Sequence, residues 1–209
     1  MERVGEFVYL GSSLNEDSAC SREVDRRIAL GTWKFSELRK PVWNQSCISL
    51  KTKMKLYQTL VLSVVLYGSE SWTCADRDYA KLNAFHNKNL RSMLGRRRDQ
   101  ISNAELFRET GSCPIENYVR KYRLRWAGHV RRMDADRIPK KVLFGELVEG
   151  RRGRGRPKKD WNACLEEDWR KTWALKGAPT PPFSRWVAMA ERRPEWLDLI
   201  SYLTPQKEK

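Results

Sequence analysis

Apolar residues recur with a helical period over most of this chain. Val24, Ile28, Phe35 and Leu38 fall at spacings of 4, 7 and 3, which predicts a helix from Ser21 that Pro41 ends. Ser49 is placed to cap a second helix carrying Met54, Tyr57, Val61 and Val64, with Gly68 as its stop. That helix is apolar on most sides, so it belongs in the centre of a bundle. A third begins near Asp76, with Tyr79, Leu82, Phe85, Leu90 and Met93 as its stripe and Gly95 at its end. Asp76 and Asp78 sit where they would cap it and offset its dipole. Ser102 and Glu105 have the spacing of a capping box, so a short helix follows to about Thr110. Pro114 opens the next helix. Ile115, Val119, Tyr122, Trp126, Val130 and Met133 cluster on one face of it. Arg120, Lys121, Arg125, Arg131 and Arg132 fall off that face, and Arg123 lies near its edge. Trp126 and Val130 are therefore expected inside, and Arg120, Lys121, Arg131 and Arg132 outside, toward solvent or a ligand.

The two ends of the chain differ from this pattern. Phe7-Val8-Tyr9-Leu10-Gly11 reads as a short strand ending in a turn. Its sheet partners are mostly missing, so the chain is expected to begin inside a larger domain. Gly150 to Lys159 contains no apolar residue and reads as a linker or an arm. Trp161, Leu165, Trp169 and Trp173 then repeat every fourth residue on another helix, Pro179, Pro181 and Pro182 break the chain, and a final amphipathic piece carries Trp186, Trp196, Leu199 and Leu203. The fold class is mainly α, with a short N-terminal β-strand or hairpin remnant and a basic helix-plus-arm C-terminal extension. The expected divisions are 1–18 (strand remnant), 19–112 (helical bundle), 113–149 (basic helix and connection), 150–160 (basic arm) and 161–209 (Trp-rich helical tail).

Charge sharpens this picture. The segment 119–160 holds 15 Lys/Arg against 5 acids, +10 of the chain's net +15. So concentrated a basic surface attracts polyanions, and nucleic acid is the commonest in a cell. With 40% hydrophobic and 11% aromatic residues the chain is not a disordered basic tail. Five scattered cysteines give no disulfide framework and favour a reducing compartment. Acids in the first 20 residues exclude a secretory signal, and the longest apolar stretch, Leu56 to Tyr67, is too short to span a bilayer. An intracellular location, nuclear or cytoplasmic, is expected, with no membrane partner and no small-molecule substrate; the oligomeric state is open.

The order of the blocks carries a resemblance. Phe7-Val8-Tyr9-Leu10-Gly11-Ser12 resembles the segment after the catalytic palm of LINE-type (non-LTR) retrotransposon reverse transcriptases, and Glu23-Val24-Asp25-Arg26-Arg27-Ile28 the helix entry that follows it. Lys53-Met54-Lys55-Leu56-Tyr57 with Leu66-Tyr67-Gly68-Ser69-Glu70-Ser71-Trp72 is similar to the family's next block. Arg123-Leu124-Arg125-Trp126-Ala127-Gly128-His129-Val130-Arg131-Arg132-Met133 and Gly155-Arg156-Pro157 with Trp161 resemble two later ones. The match runs from about Val4 to Trp161, and the tail resembles the family only loosely. It implies a fragment: an edge of palm at 1–18, a helical thumb-like bundle at 19–112, and the basic extension. Tyr9, Leu10 and Gly11 would be a primer-grip-like turn. Polymerisation needs carboxylates holding two metals; the family's adjacent pair lies upstream of the Tyr-Leu-Gly segment, and none occurs here. The separate endonuclease domain is also absent. The resemblance thus implies a chain with no catalytic residues, metal or cofactor of its own, holding template–primer or target nucleic acid, whether RNA, DNA or a hybrid duplex.

Other readings stay open beside this one. Arg154-Gly155-Arg156-Pro157 is the core of an AT-hook, thin enough for the minor groove, with Arg151, Arg152, Lys158 and Lys159 placed for flanking phosphates. It reads equally as a solvated linker or an import signal. Arg120, Lys121, Arg123, Arg125, Arg131 and Arg132 complete the candidate nucleic-acid surface. His129 lacks neighbours at metal-ligand spacing and is expected to be packed and hydrogen-bonded. Trp126, Trp169 and Trp173 are expected in the core rather than stacked on bases. Glu166-Glu167-Asp168 reads as a solvated helix face. The rivals to an enzyme fragment are a domesticated host nucleic-acid-binding protein, a nonfunctional translated relic, and a helical module that binds another protein.

Overall fold

The computed structural model describes residues 6–9, 12–15, 20–97, 99–145 and 160–205, and these are mainly helical. They form two units, divided between Val119 and Arg120.

The first unit opens with an antiparallel hairpin of β1 (Glu6–Tyr9) and β2 (Ser12–Asn15), in which Phe7 pairs with Leu14 and Val8 with Ser13. Leu10 and Gly11 lie outside the described residues. α1 (Cys20–Glu37) buries Val24, Gly31 and Phe35. Gly31 lets it approach its neighbour, since a Cβ there would collide with Val65. After α1 the chain widens into a π-helical turn at Arg39–Trp43, where Pro41 cannot supply an amide. Trp43 stacks on Phe35 at 5.1 Å and its indole N–H donates to the Phe35 carbonyl. Ser49 caps α2 (Leu50–Leu56) by accepting from the Thr52 amide. α2 passes through a π-helical turn, Tyr57–Leu62, into α3 (Ser63–Val65), and Tyr57, Val61, Leu62 and Val65 are buried. α4 (Asp76–Leu94) starts where the Asp78 carboxylate accepts from the Ala75 amide and ends at Gly95 in the left-handed conformation. α5 (Asn103–Thr110) has the reciprocal capping box: Ser102 accepts from the Glu105 amide and Glu105 from the Ser102 amide. The Ser102 hydroxyl also donates to the Glu105 carboxylate, and this bond and then the one from the Ser102 amide hold the Glu105 carboxyl below its usual range.

At the centre of this unit lies a polar chain. His86 is fully buried, and its Nε2 sits 3.2 Å from both the Cys113 carbonyl and the Ser112 hydroxyl. A carbonyl only accepts, so Nε2 carries the hydrogen and Nδ1 accepts from the Tyr57 hydroxyl, 3.0 Å away. Burial pushes the His86 pKa down to about 4 and that of the Tyr57 phenol well above its usual value.

α6 (Ile115–Arg131) begins in the first unit and supplies the first element of the second. There it is followed by α7 (Ile138–Phe144), α8 (Trp161–Lys176), α9 (Trp186–Glu191) and α10 (Arg193–Ser201). Asp160 caps α8 by accepting from the Ala163 amide, and Gly177 ends it with a positive φ. The core of the second unit is built on tryptophan: Trp169, Trp186 and Trp196 pack with Leu124, Leu165, Leu199, Ile200 and Leu203. Trp169 stacks on Trp196 at 6.2 Å, and the Trp196 indole N–H donates to the Leu124 carbonyl. Among the described residues no helix is long and apolar enough to cross a membrane.

Candidate nucleic-acid interface

α6 is where the candidate surface is best resolved: Ile115, Val119 and Val130 of its apolar stripe are buried as expected, but from Arg120 onward its inward face takes in other residues. Leu124, Ala127 and Val130 are buried as apolar positions, but so are Arg120 and Arg123. Trp126 is only half-buried, edge-on to Trp161 at 5.2 Å, and His129 is exposed. Relative to the sequence expectation the buried stripe is turned by roughly a quarter of the circumference, about one residue's advance. The cause is Asp168 on α8. Its Oδ2 accepts from the Arg123 guanidinium, its Oδ1 lies 3.6 Å from Arg120 Nε, and all three side chains are withdrawn from water. Charges are tolerated inside when they are paired and hydrogen-bonded. Burial raises the Asp168 carboxyl to about 6, with Arg123 and then Arg120 opposing it. Four expectations are therefore corrected. Arg120 and Arg123 do not face solvent, Trp126 is a rim residue, His129 is not packed, and Asp168 belongs to no solvated face. Small residues favour the rotated face. A Cβ on Gly128 would run into the Trp196 indole, so Gly128 is what allows that ring to lie against the helix.

The remaining cations of the candidate set are distributed over the outside of the second unit. Arg125 is exposed. Lys121 is half-buried and donates to the Thr204 hydroxyl. Arg131 pairs with Glu191 and lies over the Phe144 ring at 5.4 Å. Arg132 donates to the Ala190 carbonyl, and its pKa is lowered by partial burial and by the nearby Arg193. Arg137 and Lys141 are exposed on the following segment, together with the acids Asp134 and Asp136. The basic arm, Arg151, Arg152, Arg154, Gly155, Arg156, Pro157, Lys158 and Lys159, lies outside the described residues, as do Leu10 and Gly11 of the Tyr9 turn.

Sequence reasoning missed Asp168 as an organiser, because a run of three acids looks solvated until the partner helix is known. Two buried arginines spaced three apart on an otherwise apolar face were the available signal.

No protein-family model matches the chain, and no solved structure matches it. Over 205 residues it is 26% identical to a Caenorhabditis elegans protein described as uncharacterized and transposon-derived, a stretch covering 96% of this chain and 71% of that protein. The match supports a transposon-related origin.

Proposed function

We propose that this chain is the post-catalytic part of a LINE-type reverse transcriptase, and that it holds template–primer or target nucleic acid without catalysing a reaction itself. The observation that carries the reading is the segregation of α6. Two of its arginines are used up inside the fold by Asp168, while Arg125 stays outside. The ordered sequence blocks and the transposon-derived relative support the parent family. Unit 1 would be the thumb, tracking a duplex through its phosphates and shape rather than its bases. The arm would add charge, and the four-residue Arg154-Gly155-Arg156-Pro157 core would add A·T-tract preference if it enters the minor groove.

Competition titrations of the full chain with hybrid and DNA duplexes at two salt concentrations test this. The wild type is expected to bind with a steep salt dependence. Arg154→Ala plus Arg156→Ala should weaken all duplexes similarly and flatten the salt slope, or erase a preference for A·T tracts if the groove is entered. A chain with no salt-dependent affinity for any duplex refutes the binding role and favours a protein-interaction module. Primer extension with Mg²⁺ or Mn²⁺ tests inertness, and incorporation lost on mutating this chain would overturn it.

A further inference from the structure

A second cationic surface lies in the first unit, outside the segment where the sequence concentrates its charge. A cavity of about 450 Å³ opens beside α4 and the start of α5, lined by Asn87, Lys88, Arg91, Ser92, Arg96 and Asn103. Positions three and four apart bring Asn87, Lys88, Arg91 and Ser92 onto one side of α4, and the small Ala84 leaves its upper end open. No carboxylate is among the described residues that line it, and α4 carries no acid between Tyr79 and Leu94.

The Arg91 guanidinium is fixed across the cavity. Its Nη2 donates to the Asn103 amide oxygen at 2.6 Å and to the Ile101 carbonyl at 3.3 Å. Its buried Nε has no hydrogen-bond partner, and neither does the buried amide oxygen of Asn87. Both atoms lie beneath the surface of the cavity, so the groups that front it are the cations among its lining residues. Lys88 and Arg96 are exposed at its sides. A held guanidinium flanked by two exposed cations is the donor set that phosphate takes. Dipole compensation at the end of α4 accounts for a cation in the last turn. It does not account for Lys88.

We propose that this cavity is a phosphate-binding site that takes the sugar–phosphate backbone of a nucleic-acid strand. The proposal rests on the nucleic-acid reading above for the carrier of the phosphate. The cationic donor set argues for the phosphate independently.

The test uses the full chain, with pyrophosphate and a short single-stranded oligonucleotide as probes. Acylation of Lys88 is read by mass spectrometry, and affinity is measured for Lys88→Gln plus Arg96→Gln. Both side chains are exposed, and circular dichroism checks that the variant keeps its helices. The oligonucleotide is expected to protect Lys88, and pyrophosphate to compete with it. Losing two single-strand phosphate contacts should flatten the log–log salt slope by about 1.4 and cost on the order of tenfold in affinity at 0.1 M salt. Protection of Lys88 by pyrophosphate but not by the oligonucleotide would overturn the nucleic-acid carrier and leave a free-phosphate site. An oligonucleotide that binds while Lys88 stays reactive and the variant keeps full affinity would overturn the cavity and leave the arm and α6 untouched. If the oligonucleotide fails to bind at all, the single-strand carrier is overturned, the duplex titrations above decide the nucleic-acid reading separately, and a pyrophosphate footprint reports whether the phosphate chemistry survives.

Discussion

Acid should disturb the centre of the first unit by charging His86 in a place built for a neutral ring. In the folded chain Nε2 donates to the Cys113 carbonyl and Nδ1 accepts from Tyr57. A second proton on Nδ1 would face the Tyr57 hydroxyl in a site withdrawn from solvent, and burial is what moves the pKa from 6.5 to about 4. At 1.36 kcal/mol per pH unit, this difference is worth about 3 kcal/mol. The unfolded chain takes up its proton at the higher pH. The stabilisation is therefore complete above pH 6.5, falls progressively toward pH 4, and changes no further below it. Asp168 in the other unit is shifted the opposite way, up to about 6, so acid relieves a burial cost there over an overlapping range. A global unfolding curve would mix the two, and the readout has to be local. The chain has two histidines, so a His129→Gln variant leaves a single imidazole whose NMR signal is His86. It should titrate near 4 and show the Nε2–H tautomer at neutral pH. Amide exchange in α4, corrected for intrinsic rates, should speed up between pH 6.5 and 4.5 more than in α8. A midpoint at or above 6.5, or an Nδ1–H tautomer, would refute the account.

Asp168→Ala leaves Arg120 and Arg123 buried without their carboxylate, and the urea midpoint of the second unit should fall by an amount equivalent to about 3–5 kcal/mol. Gly128→Ala gains about 1 kcal/mol of helix propensity but forces the Trp196 indole aside at about 3 kcal/mol; a net loss of about 2 kcal/mol should appear in thermal denaturation, with altered tryptophan fluorescence. Ser102→Ala removes the cap of α5 and should cost about 1 kcal/mol by chemical denaturation, with Ser102→Gly costing less.

Much of this protein is decided by short-range chemistry, and that part was readable from the sequence. The Ser49 and Ser102 caps, the glycines at 68 and 95, and the stripes of α1 and α4 each need only neighbours a few residues away. The tail's core residues Trp169, Trp186, Trp196, Leu199 and Leu203 were visible for the same reason. What the sequence alone did not decide was the rotation of α6, because that depends on a carboxylate 45 positions from Arg123. An arginine is an outward residue by its own solvation and an inward one only when a partner offsets the cost of leaving water. The same holds for His86, whose role rests on Tyr57 and Cys113 arriving from distant turns, and for the cavity at Lys88, Arg91 and Arg96, which exists only once α5 stands beside α4. Local patterns fix which residues are helical and where the helices stop. Which polar groups end up paired, buried or left facing a ligand is set by contacts between helices, and only the tertiary structure supplies those.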